Sequence, residues 1–136
     1  SHNNCRSLVP HQRQFSDDQL KALIQRDAVI GAAFDAWMMV PGWIRFRTTP
    51  EETGVRIETI VKHIDHICQL AGNTRHCGIG SDLDGGYGKE QTAMDLDSIA
   101  DLQKIGDCLK AKGYPPADIE AIFHGNWLRL FRKLLK

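Results

Sequence analysis

A chain of 136 residues with 17 basic and 17 acidic side chains fits a single domain with a modest core. Zero formal net charge gives no electrostatic footprint for nucleic acid or an anionic membrane surface. No apolar run approaches the roughly 20 residues that a membrane-spanning helix needs.

Taken in chain order, residues 1–15 read as polar and irregular. Ser16-Asp17-Asp18-Gln19 is a capping box, and a helix of about three turns comes next, with Leu20, Leu23 and Ile24 on one face. Ala28 to Phe34 is a continuous run of small and apolar residues without helical period, which predicts a buried parallel strand. Asp35 to Arg47 is expected to be a loop, rich in large side chains (Trp37, Met38, Met39, Trp43, Phe46) that need something to cover. Thr49-Pro50-Glu51-Glu52 starts a helix expected to run to Gly72, with Ile57, Ile60, Val61, Ile64, Ile67, Cys68 and Ala71 on its apolar stripe. Cys77 to Gly80 predicts a second short strand. Asp97 to Lys112 predicts another amphipathic helix, with Ile99, Leu102, Ile105 and Leu109 inward. Pro115-Pro116 opens a short helix to Phe123, and Gly125-Asn126 is expected to break it and cap a last helix with Trp127, Leu130, Phe131 and Leu134 on its core face.

Strands alternating with helices imply right-handed crossovers and a parallel sheet. Two strands alone leave faces and edges uncovered, so the order predicts part of a larger α/β domain that self-associates or is completed by other chain. None of the four cysteines has CxxC spacing: Cys68 is on a helix's apolar side, Cys77 begins a strand and Cys108 is mid-helix. Buried reduced thiols and a cytoplasmic location are therefore expected, and the first residues lack signal-peptide character.

The stretch with chemical content is Gly78-Ile79-Gly80-Ser81-Asp82-Leu83-Asp84-Gly85. A strand ending in acids and glycines places carboxylates at the sheet rim, where α/β folds build their sites. His2 and Arg13 stand in the opening segment. Ser1-His2-Asn3-Asn4 with Arg13, Ser16-Asp17-Asp18-Gln19-Leu20, His63-Ile64-Asp65-His66-Ile67, the acidic turn, and Gly125-Asn126-Trp127-Leu128-Arg129 occur in an order and spacing that resembles the membrane (renal) dipeptidase family of zinc metallopeptidases. The resemblance covers nearly the whole chain.

That resemblance implies a TIM (β/α)8 barrel with two zinc ions at its C-terminal mouth, of which residues 1–136 would be the C-terminal part, about the last three βα units. It implies hydrolysis of a dipeptide by a zinc-activated water. Carried over residue by residue, His2 would ligate metal, Arg13 would bind substrate, and Asp82 would be the catalytic acid/base in contact with substrate. Asp84 reads as a turn or supporting group, and His63, His66, His11, His76 and His124 as structural. Gln14 stands where the family usually has Asn. The family's other ligands, a His-x-Asp pair, a bridging Glu and a second His, have no counterpart here, so the chain by itself is not expected to be active. Two further readings stay open: a non-catalytic assembly module, and a related amidohydrolase acting on N-acyl amino acids.

Overall fold

The computed structural model describes residues 1–135. Two parallel strands, β1 (Ile30–Ala33) and β2 (Cys77–Ser81), pair with Ile30 opposite Cys77 and Gly31 opposite Gly78. All four residues of β1 are buried. It is shorter than the predicted run, but its ladder reaches further: Ile30 N–H donates to His76 O and Phe34 N–H to Ser81 O. The register shifts between Ala32 and Ala33, so that Gly80 is the extra residue of a bulge, a device that bends a strand and re-aims the residues beyond it. A Cβ on Gly80 would lie 2.8 Å from Gly31 O, so this close approach needs glycine.

The other edge of β1 is occupied by the start of the chain. Asn3 N–H donates to Gly31 O at 3.0 Å. The buried carboxamide of Asn4 accepts from Ala33 N–H (2.9 Å) and donates to Ala33 O and Met38 O (both 3.0 Å). A side-chain amide thus replaces strand backbone, and β1 lies between residues 1–4 and β2.

Helix α1 (Asp17–Gln25) starts at the predicted Ser16/Gln19 capping box. The segment predicted as a loop contains a short helix, α2 (Ala36–Met39), because Met38 and Met39 turn into the core. The long helix expected from Thr49 is two: α3 (Pro50–Thr53) ends at Gly54, whose φ is 64°, and α4 (Ile57–Ala71) restarts after buried Val55. Asp95, from far along the chain, accepts the Ile57 N–H at 2.8 Å and Val55 O accepts the Met94 N–H. The break is stabilised by these distant groups. The predicted apolar stripe of α4 is buried from Ile57 to Cys68, Ala71 at its end is half-buried, and Gly72 (φ 68°) closes the helix.

The helix predicted over 97–112 begins as a 3₁₀ segment, Ile99–Gln103, before α5 (Lys104–Ala111). The tighter turn takes Ile99 off the stripe that buries Ile105 and Leu109, and Ile99 is 69% exposed. No break occurs at Gly125-Asn126. Instead α6 (Pro116–Glu120), a π-helical turn over Ala121–Gly125 and α7 (Asn126–Leu134) form one helical run. The wider turn brings Asn126 and Trp127 onto β2: Asn126 Nδ2 donates to Thr74 O and Cys77 O, and Trp127 Nε1 to Ile79 O. Phe131 and Leu134, expected on the core face of α7, are exposed together with Leu128 and Leu135.

Candidate active site

The C-terminal ends of the strands form a rim, and His2 and Asp82 meet there. His2 Nε2 lies 3.5 Å from Asp82 Oδ1, although the two belong to segments on opposite flanks of β1. Three non-glycine residues at this rim have left-handed backbone: His2 (φ 60°), Ser81 (φ 38°) and Asp82 (φ 67°). Such conformations are uncommon for side-chain-bearing residues and concentrate where a structure aims functional groups. Asp82 N–H donates to Gly80 O, and Gly85 N–H closes the turn on Asp82 O. A Cβ on Gly85 would come within 2.6 Å of Asp82 Oδ1, so the glycine leaves the space that the carboxylate occupies. Ser1 Oγ and His2 Nδ1 are 2.8 Å apart, which leaves Nε2 for the acid side of the site.

Asp84, read from sequence as a supporting group, is brought to the same place. His2, Asp82 and Asp84 each offer a ligand atom within 4.8 Å of the others. One imidazole and two carboxylates suit a divalent cation such as zinc. Arg13 is exposed, fixed through its backbone by Asn3 Nδ2 and His11 Nδ1. Its guanidinium forms no ion pair among the described residues, so the cation is available to a ligand.

His63 and His66 are not part of this rim. Buried His63 accepts the Cys5 N–H on Nδ1 and so donates from Nε2 to Met39 O. Burial pushes its pKa down to about 4. His66 pairs with Asp17 at 2.8 Å. His76 is buried against Ala28 O, and His11 packs edge-on to Trp37.

The sequence profile of the family described as "Membrane dipeptidase (Peptidase family M19)" matches residues 1–136. The chain belongs to this dipeptidase family. It is 29% identical over 134 residues to an uncharacterized protein in the pqqA 5' region of Klebsiella pneumoniae, a match that covers 98% of this chain and 45% of that one. An uncharacterized dipeptidase of Schizosaccharomyces pombe is 26% identical over 132 residues, 97% of this chain and 29% of its own length. The crystal structure of a metallo peptidase from Rhodobacter sphaeroides, liganded with a phosphinate mimic of the dipeptide L-Ala-D-Ala, superposes with a TM-score of 0.77 at 23% identity, over 96% of this chain and 34% of that one. The chain spans less than half the length of these relatives, and the two-stranded α/β unit matches a portion of a larger metallopeptidase structure.

Within this dipeptidase-family chain, sequence reading missed the groups that hold the rim loops together. Asp35, at the end of β1, is 3% exposed. It accepts from Trp37 Nε1 (2.7 Å), Arg45 Nη2 (3.2 Å) and Gln91 Nε2 (2.8 Å), tying the loop after β1 to the loop after β2. Burial raises its pKa despite these donors. Beside the acidic turn is a groove of about 530 Å³, lined by Ser81, Leu83, Asp84, Tyr87, Thr92 and Ile99. The Tyr87 hydroxyl is buried without a hydrogen-bond partner among the described residues, and burial, with Asp82 next in effect, raises its pKa. The one signal for Asp35 was an acid directly after an apolar strand; Gln91 and Tyr87 had none.

Proposed function

We propose that this chain supplies one side of the catalytic site of a zinc-dependent dipeptidase built on a (β/α)8 barrel. The observation that carries the reading is the meeting of His2 and Asp82, with Asp84 beside them, at the strand-end rim. By donor type the cluster suits a zinc ion, with His2 as metal ligand and the Asp82 carboxylate beside it kept for proton transfer. When bound, zinc would supply Lewis-acid polarisation of the scissile carbonyl and of water. Asp82 would accept the proton of the attacking water and return it to the leaving amine. Arg13 would grip the substrate carboxylate through its forked donors. The groove beside Asp84 and Tyr87 has room for a substrate side chain.

With Asp82 kept for proton transfer, these residues offer too few donors for two zinc ions, so further ligands would come from outside them. Exposed Leu128, Phe131, Leu134 and Leu135 on and just after α7 favour cover by further βα units, whether of the same polypeptide or of another copy. The test uses the protein at its natural length. Zinc content and turnover are measured on L,L- and L,D-dipeptides and on N-acyl amino acids, for the parent and for Asp82→Asn. We expect zinc in both proteins, dipeptide turnover in the parent, and a kcat lower by about 10²–10⁴ in the variant. Zinc-free protein, or unchanged kcat in Asp82→Asn, would refute the reading; turnover of N-acyl substrates alone would move it to an amidohydrolase.

A further inference from the structure

At the other end of β2 from Asp82, two cysteines face each other. Cys68 lies in the last turns of α4 and Cys77 is the first residue of β2. Their sulfurs are 3.4 Å apart, in hydrogen-bond contact. Cys77 is fully buried and Cys68 is 5% exposed. Cys68 also lines an open pocket of about 390 Å³, whose wall includes Asp65, Thr74, Lys112 and Tyr114. Tyr114 Oη donates to Asp65 Oδ1 at 2.6 Å and Lys112 Nζ pairs with Asp65 Oδ2 at 3.2 Å. The pocket is thus polar, connects one of the two sulfurs to solvent, and shares no residue with the candidate active site.

We propose that Cys68 and Cys77 are an oxidisable dithiol, a modification site that takes a small hydroperoxide through this pocket. Cys68, on the pocket wall, reacts first. Its thiolate attacks one peroxide oxygen, the O–O bond breaks, and the departing oxyanion takes up the proton that Cys68 released. Cys68 is then a sulfenic acid. The Cys77 sulfur attacks the Cys68 sulfur, the S–O bond breaks, and the leaving hydroxide departs as water with the Cys77 proton. Two thiols lose two electrons and the peroxide gains them, giving a disulfide, an alcohol (water, for hydrogen peroxide) and water. The sulfurs must close from contact to a bond of about 2 Å. The geometry supports this order of events: Cys68 lines the pocket, whereas Cys77 is fully buried and does not. Cys5 and Cys108 differ. Burial pushes the Cys5 thiol up to about 12 and raises Cys108, and both are free thiols with no sulfur partner among the described residues.

The test treats the reduced natural-length protein with excess hydrogen peroxide and maps it by mass spectrometry without reduction. Trypsin cuts after Lys62, Arg75 and Lys89, which places Cys68 in peptide 63–75 and Cys77 in peptide 76–89. The expected product is these two peptides joined, lighter by two hydrogens than their sum, and released by dithiothreitol. In Cys77→Ser, the same oxidant should leave Cys68 as a sulfenic acid that dimedone labels. Recovery of both cysteines as free thiols after unfolding, or a bond from either to Cys5 or Cys108, would overturn the proposal. Zinc and turnover do not enter the readout.

Discussion

Acidification should weaken this protein through His63 before it reaches the carboxylates that are held below their ordinary range. His63 is 1% exposed, and its two ring nitrogens hold Cys5 N–H and Met39 O at 3.1 Å each. Burial keeps the folded pKa at about 4, with the backbone bond to Met39 opposing and His66 and Lys62 adding to the shift, against an ordinary value near 6.5. The unfolded chain therefore takes up this proton as pH falls through about 6.5, while the folded chain resists until about 4. The contribution is fully present above the unfolded value and is lost between the two, at about 1.4 kcal/mol per pH unit, or about 3 kcal/mol in all. The acids held below their ordinary range, Asp17, Asp27, Asp65 and Asp101, depend instead on their own unfolded value. Their contributions are present above about 4 and fade only below it, so the windows separate. A protonated Nδ1 would face the Cys5 N–H donor to donor, loosening the segment that carries His2. The assay is urea unfolding at a series of pH values from about 7 to about 4.5, on the parent and on His63→Gln. The parent should lose about 2–3 kcal/mol more than the variant over that range, and exchange at the Cys5 amide should rise in the parent alone. Parallel stability curves for the two proteins would refute the argument.

Asn4→Ala removes three buried side-chain hydrogen bonds to Ala33 and Met38 and should cost about 3 kcal/mol, read by chemical denaturation; a loss below about 1 kcal/mol would mean water replaces the amide. Gly78→Ala places a Cβ 2.5 Å from Trp127 Nε1, which should destabilise by about 1–3 kcal/mol and blue-shift tryptophan fluorescence less completely on folding; an unchanged midpoint would show that α7 moves aside. Arg13→Lys replaces a forked donor with a point charge. In the active protein it should raise KM about tenfold with stability unchanged, since Arg13 is exposed, and an unchanged KM would remove Arg13 from the substrate site.

Local signals were legible because their causes lie within a few residues. The Ser16 and Thr49 caps, the stripe of α4 and its Gly72 stop, and the buried run that became β1 all needed only their own neighbourhood. The expectation for His2, Arg13 and Asp82 had another source, the resemblance carried by five segments spread over nearly the whole chain. What failed locally failed for distant reasons. Asp95 caps α4 from far along the chain, and so splits a helix that periodicity joined. The bonds of Asn126 and Trp127 to β2 favour a π-turn through a glycine that otherwise reads as a stop.

By itself the sequence determined which elements form, which faces are apolar and which residue types could do chemistry, because propensity, capping and patterning act over one or two turns. Only the tertiary structure decided that His2 and Asp82 meet, that Asp84 joins them, and that Asp35 binds two rim loops together through Gln91. Those placements depend on strand register, on the bulge at Gly80 and on the Asn4 amide completing the edge of β1. A one-residue slip would turn the same side chains to another face, and nothing within a local window of sequence sets that register.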